Sequence, residues 1–324
     1  MPQTKIAAVL SGSDSFLAHI HLSPDPDTIG SVLALKLALE SEGKVMRVFC
    51  EDPLIPSAKF LPGFDSVEQL SLANALTYSH QVYLCVDTAK WELAAKRPKQ
   101  EFHSPIVVID HHPDNDIKSR LRWVDPKASS VALLVFQLLG LMKLKITPDI
   151  ANCLLFGLLG DTGLFQNTNT KMADFVFAGK LIKFGADYHE LVKHLVRSYE
   201  LDELSCWAKV LKNLKLSADR SYAWMTVSYQ DCADVKGEPK LGVIANQFAG
   251  RINGTKFGAI LAEKERGVTK GSLRSRELDF DVSAIAHRLG GGGHKNAASF
   301  KLNLPLAAAE KKLLEAADYV TNKS

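Results

Sequence analysis

The sequence predicts an α/β protein: an N-terminal parallel sheet with helices on both faces, joined by a helical linker to a smaller α/β unit. Three observations predict it. Strands rich in Val, Ile and Leu alternate with stretches of helical apolar spacing, as in βαβ units. At 324 residues the chain is long for a single core. Polar and titratable residues gather where the strands of the first half end, which is where open α/β sheets bind ligands.

Taken in order, SFLAHIHL (15–22) reads as a buried strand. A proline-punctuated turn leads into the helical spacing of IGSVLALKLALESEG, which stops at Gly43. KVMRVFCE, HQVYLCVDTA (80–89) and SPIVVIDHH (104–112) read as further strands, the last two ending in polar residues. SSVALLVFQLLGLMKL, PDIANCLLFGLLGD and MADFVFAGKLIKFGA supply successive helices, with Gly185 as a stop. We place the first domain at 1–186, a charged helical linker at 187–215 and the second domain at 216–324. The second contains strands SYAWMTVSY, TKFGAILAEKE and GSLRSRE, the helix candidate LGVIANQFAGRI, a glycine run at Gly290–Gly293 and the terminal helix LAAAEKKLLEAADYV.

Composition sets the outer bounds. A content of 46% hydrophobic and 23% charged residues is that of an ordinary globular protein, and a net charge of +3 is too small for a long nucleic-acid track. Five cysteines without a CxxC pair predict neither a disulfide framework nor a thiolate zinc site, and fit a reducing cytoplasm. The first sixteen residues are too weakly apolar for a signal peptide, and no window is apolar enough to span a membrane. The apolar stretch VALLVFQLLGLM is read as an exposed helix able to support a homodimer.

Four segments place acid or imidazole groups at strand or helix ends: His21, Asp25 and Asp27; Asp87; Asp110, His111 and His112; and Asp161. Singly, each aspartate is explained as well by a turn or a helix cap. Jointly they would repel one another if gathered empty, whereas divalent cations convert that repulsion into binding. Carboxylates and imidazoles without thiolates favour Mn²⁺ first, with Mg²⁺ or Co²⁺ as alternatives. The candidates outnumber the needs of one ion. Two ions roughly 3.5–4 Å apart suit in-line displacement at phosphorus, so the pattern points to phosphoester hydrolysis. His19, two residues before His21, is read as a core residue, and His80, His103, His189, His194 and His287 have no supporting spacing.

HLSPDPD, VDTA, VIDHHPDN and LLGDTG resemble, in order and spacing, the four motifs of the DHH phosphoesterase superfamily. SLRSR and GGGGHKNAAS resemble the DHH-associated domain of its NrnA-like and RecJ-like members. The resemblance implies that His21 and Asp25 bind one metal, Asp27, His111 and Asp161 the other, and Asp87 both. It further implies that His112 faces the scissile phosphate, that Asp110 orients His111 or its neighbour, and that a water held between the ions is the nucleophile. In the second domain it implies substrate binding by Arg274, Arg276, Gly291, Gly292, Gly293 and His294, with Arg251 or Asn246 less directly involved. Arg274 and Arg276 would present two guanidinium forks on one strand face. One departure is Ser299, where the family pattern has glycine after Ala297 and Ala298.

The activity so implied is phosphodiester hydrolysis of short oligonucleotides or of linear or cyclic dinucleotides, releasing nucleoside monophosphates. The alternatives are 3′-phosphoadenosine 5′-phosphate phosphatase, pyrophosphatase or exopolyphosphatase, and, less in keeping with the chain's length, a RecJ-type single-strand exonuclease. An inactive nucleotide sensor would not need every metal position intact.

Overall fold

The structure, a computed structural model, describes residues 1–197, 201–231, 244–245, 247–277 and 279–321. The chain forms two compact units, Met1–Ser198 and Tyr199–Ser324.

In the first unit, β1 (Ser15–His19), β2 (Val45–Cys50), β3 (Val67–Gln69), β4 (Val82–Val86), β5 (Ile106–Asp110) and β6 (Leu121–Val124) form one sheet in the order β3-β2-β1-β4-β5-β6. Every pairing is parallel. Building outward in one direction from β1 and then in the other from β4 leaves a switch point between them, the place where such sheets open a crevice beyond their carboxyl ends.

The helices are α1 (Pro2–Gly12), α2 (Pro26–Ser41), the short α3 (Leu72–Ala75) and α4 (Trp91–Ala94), α5 (Val131–Leu141), α6 (Pro148–Asp161), α7 (Met172–Lys183) and α8 (Tyr188–Val196). α2 is buried along most of its length because α5 and α6 cover the side that the sheet does not. Its contact with α6 is backbone-close: a Cβ on Gly30 would lie 2.3 Å from the Cys153 carbonyl oxygen, so only glycine fits. On the other sheet face Leu17, Phe49 and Tyr83 pack with Leu72, Ala75 and Trp91.

Two expectations need correction in this unit. The helix α1 was not foreseen, although Ile6 and Leu10, one turn apart, bury it against the core. The VALLVFQLLGLM helix is not an exposed apolar face: α5 buries Val131, Ala132, Leu134, Val135, Leu138 and Leu139. Of its large apolar side chains α5 exposes only Leu141, whereas α7 exposes Met172, Phe175, Val176 and Ile182.

The segment 187–215 does not act as one linker. α8 packs on α6 and the turn Pro56–Ala58 in the first unit, whereas α9 (Leu201–Lys212) packs on a strand of the second. That unit contains β7 (Lys215–Leu216), β8 (Tyr222–Val227), β9 (Phe257–Glu265), β10 (Val268–Ser275), β11 (Gly292–His294) and β12 (Ala297–Leu302), in the order β11-β12-β10-β9-β8-β7. Only β8 and β9 pair in parallel. Helices Ser283–Arg288 and Leu306–Thr321 cover one face through Leu273, Ala298 and Phe300. On the opposite face α9 covers β8 and β9.

Most of the helix candidate 241–252, with Asn246, lies outside the described residues, as does Cys232. Cys50, Cys85 and Cys153 are free and buried, but Cys206 is disulfide-bonded, contrary to the expectation of none. Among the described residues no helix is long and apolar enough to cross a membrane.

Candidate functional site

The predicted ligands meet at the switch point. His21 follows β1, Asp87 follows β4, and Asp110 ends β5 with His111 and His112 behind it. Asp161 closes α6, and Asp25 and Asp27 open α2. Three clusters result, each with donor atoms within 4.8 Å of one another: His21, Asp25 and Asp87; Asp27, His111 and Asp161; and Asp87, His111 and His112. Asp87 reaches both sides, with Oδ2 3.9 Å from His21 Nε2 and Oδ1 3.9 Å from His111 Nε2.

Each side chain is aimed by a local cause. Asp25 is the N-cap of α2, its Oδ1 accepting from Thr28 N–H at 3.0 Å. Asp27 is buried against the start of α5, where it accepts from the N–H groups of Val131 at 2.5 Å and Ala132 at 3.0 Å. A helix N-terminus is a natural seat for that anion. The seat exists because residue 157 has no side chain: a Cβ there would lie 2.7 Å from Asp27 Oδ1. Nδ1 of His21 bonds the Leu22 carbonyl at 2.8 Å and Nδ1 of His111 bonds that of Ala128 at 3.1 Å. Those bonds place the proton on Nδ1 and leave each Nε2 lone pair facing the cluster.

Asp110, fully buried, does not join the ligand clusters. Its Oδ1 accepts from His112 Nδ1 at 2.8 Å and from the N–H groups of His111 and His112, while its Oδ2 accepts from Asn115 Nδ2 at 2.5 Å. Asp110 thus orients the neighbour, His112, whose pKa it raises through this hydrogen bond, despite burial. Asn115 was missed as a site residue although it ends the VIDHHPDN motif. It ties Asp110 to the Thr88 carbonyl at 2.9 Å, and so to the turn carrying Asp87. Asn167 and Asn169, also missed, hold the Asp161 carbonyl at 2.9 and 3.2 Å. His19 is a core residue as read: buried between Thr88 Oγ1 at 3.0 Å and the Tyr83 hydroxyl at 2.9 Å, it is pushed down to about 3, first by burial and then by His21.

The cluster is electrostatically incomplete by itself. Asp87 sits at φ 56, a left-handed conformation that costs energy for any residue but glycine, and its Oδ1 is buried with no hydrogen-bond partner. Burial first, then Asp27, Asp25 and Asp161, push its carboxyl well above the usual carboxylate range. Burial together with Asp27 and Asp25 drives Asp161 up to about 9. Four carboxylates and two imidazoles, with a buried oxygen lacking any donor, fit divalent cations of the Mn²⁺ or Mg²⁺ kind.

In the second unit the candidate residues are partly gathered. The turn Ala249–Arg251 packs on the end of β10, a Cβ on Gly250 falling 3.1 Å from Arg274 Cβ. His294 pairs across to Ala297, which pairs with Arg274. β10 ends at Ser275, so Arg276 lies in the following bend and donates to Asn253 Oδ1 at 3.0 Å. Arg276 thus lies one residue past the strand that carries Arg274, its backbone N–H bonding the Lys256 carbonyl at 2.8 Å. Burial lowers the Arg274 pKa. Gly292, Gly293 and His294 form a short strand rather than an open loop, with Gly290 at φ 75 and Gly293 at φ 140.

Comparison with known proteins gives the family. Residues 15–158 match the DHH family, N-terminal domain, and residues 225–323 match the DHHA1 domain; Asp161 lies just past the first match. The "Bifunctional oligoribonuclease and PAP phosphatase NrnA" of Thermus thermophilus is 30% identical over 303 residues, covering 91% of this chain and 87% of the relative. The fold is shared with an exopolyphosphatase-related protein from Bacteroides fragilis, at a TM-score of 0.89 and 23% identity over 98% of this chain and 96% of that one. It is shared more distantly with exonuclease RecJ bound to manganese, at a TM-score of 0.55 and 15% identity over 98% of this chain and 94% of that one. With both domains matched and a relative of this similarity along nearly its full length, the chain belongs to the DHH family of phosphoesterases and carries a DHHA1 domain in its second unit.

Proposed function

We propose that this chain is a two-metal phosphodiesterase that cleaves short oligonucleotides or dinucleotides, linear or cyclic, to nucleoside monophosphates. The observation that carries the reading is Asp87: one buried carboxylate shared by the His21–Asp25 side and the His111–Asp161 side, with an oxygen no protein group satisfies. His21 and Asp25 would hold one ion, Asp27, His111 and Asp161 the other, and Asp87 both. When bound, such ions supply an activated water and neutralise phosphate charge, and Mn²⁺ suits the donors best.

The chain's own contribution is orientation. His112, held by Asp110 through Nδ1, would be free to face the phosphate through Nε2 as a stabiliser or proton donor. Arg251, Arg274, Arg276, Gly291, Gly292, Gly293 and His294 would bind the nucleotide. Short substrates are favoured because the Thermus relative is named an oligoribonuclease, and the same name supports a second reading, phosphatase activity on 3′-phosphoadenosine 5′-phosphate. The free buried thiols accord with a cytoplasmic setting, against which the disulfide at Cys206 stands.

The test is product release from a linear dinucleotide, 3′-phosphoadenosine 5′-phosphate, pyrophosphate and polyphosphate, with Mn²⁺ added. Mononucleotide release from the dinucleotide is expected. Phosphate from pyrophosphate with the dinucleotide intact would overturn the proposal.

A further inference from the structure

On the face of the second sheet that α9 covers at β8 and β9, the outer strands carry a different kind of surface. Lys270 of β10 stands directly opposite Lys301 of β12, and the next pair inward is Ser272 opposite Ser299. Both lysines are exposed, and among the described residues neither ammonium has an ion-pair partner. Like charges directly opposite on antiparallel strands destabilise the pairing unless something screens them.

The pair borders a groove of about 630 Å³ whose wall continues through Ser299 to the backbone of Gly291 and Gly292. Gly291 cannot be larger, since a Cβ would lie 2.2 Å from the Ser299 carbonyl oxygen. Among the described residues Glu265 is the one carboxylate lining it. Two ammonium groups on facing strands at one groove, with a hydroxyl and close glycine backbone, suit a doubly charged oxyanion, for which lysine serves as a point charge.

We infer that Lys270 and Lys301 form an anion subsite that holds a phosphate monoester of the substrate. The inference rests on the reading of the second unit as substrate-binding, with which it shares Gly291 and Gly292. It deepens that reading by assigning a preference for dinucleotides with a terminal phosphate over those with only the internucleotide diester.

Two measurements on the full chain test it. In EDTA, which strips the first unit of ions, inorganic phosphate at matched ionic strength should slow acetylation of Lys270 and Lys301 about threefold or more relative to the exposed Lys311, read by mass spectrometry; the factor corresponds to a modest charge-assisted contact. With Mn²⁺, the KM advantage of a 5′-phosphorylated dinucleotide over its unphosphorylated analogue should shrink about five- to tenfold in Lys270→Gln/Lys301→Gln, with kcat for the phosphorylated substrate moving far less. Equal acetylation with and without phosphate, or an unchanged KM ratio, overturns the subsite. An equal KM rise for both dinucleotides also overturns it, because that would mark a general loss of fold or steering. If no dinucleotide is cleaved, the proposed function fails, while the acetylation arm still reads the subsite alone.

Discussion

Replacing Asp87 by Asn separates the site's two demands, because it removes the charge and keeps the shape. Asn tolerates the left-handed φ of 56 at this position better than other non-glycine residues, so the turn should survive the change. In the metal-free protein the native carboxylate is buried, is crowded by Asp25, Asp27 and Asp161, and has one oxygen without a partner. Relieving one such buried group gains on the order of 1–3 kcal/mol. For a unit of this size that is a rise of about 3–10 °C in Tm without metal.

Manganese should reverse the order. The native protein gains about 2.7 kcal/mol when free Mn²⁺ is a hundredfold above its Kd, whereas the variant loses the ligand common to both sides and gains far less. Turnover should fall by about a thousandfold or more, as expected when several kcal/mol of charge stabilisation disappear. Differential scanning fluorimetry in EDTA and in Mn²⁺, alongside dinucleotide hydrolysis, reads all three. An Asp87→Asn protein less stable than the native one in EDTA, or one stabilised equally by Mn²⁺, would refute the argument.

Three further outcomes follow from the same geometry. Gly157→Ala should cost about 1–3 kcal/mol by overpacking and weaken Mn²⁺ binding, since the new methyl displaces Asp27 from the start of α5; thermal melts and a Mn²⁺ titration check this. His19→Phe should lose about 1–3 kcal/mol of stability, from the stranded Tyr83 hydroxyl, since Thr88 keeps its bond to the Val86 carbonyl, yet leave Mn²⁺ affinity and the pH profile of hydrolysis unchanged. Because Asp161 titrates near 9 in the fold against 3.8 ordinarily, the metal-free folded state binds the extra proton across that window. Its stability should therefore fall as pH rises from about 4 to 9, and Mn²⁺ binding near neutrality should release protons, measurable by calorimetry in buffers of different ionisation enthalpy.

The sheet and the gathering of the acid and imidazole groups were legible because both are written locally. VYLCV and the IVVI of β5 are runs without a charge, as strands covered on both faces must be, and the aspartate that comes next, Asp87 or Asp110, marks the sheet's carboxyl edge. What was missed depends on packing between distant segments. α5 looks like a free apolar helix until α2 and α6 are placed against it, and the few apolar residues of α1 gain their meaning only from the core they pack on. Arg274 and Arg276 alternate correctly for a strand, but the strand ends between them, a boundary that the alternation itself does not encode. Asn115, Asn167 and Asn169 act through backbone carbonyls, and no spacing rule marks an asparagine for that task.

The five aspartates divide by what the backbone gives them. Asp25 accepts from the Thr28 N–H, Asp27 from those of Val131 and Ala132, and Asp110 from those of His111 and His112. Each carries its charge partly on the protein's own dipoles, at a helix start or a tight turn. No described backbone N–H reaches the carboxylate of Asp87 or Asp161, and these two are the groups whose proton affinity rises most. The fold thus fixes one carboxylate on each side of Asp87, Asp25 on one and Asp27 on the other, without any ion. On the proposed two-metal reading, it leaves Asp87 and Asp161 to be completed by cations. A site whose purpose was structural would have supplied those two with donors, as it supplied Asp110. That they lack them, beside a His112 already oriented, is the arrangement expected where charge must arrive with the metal and the phosphate together.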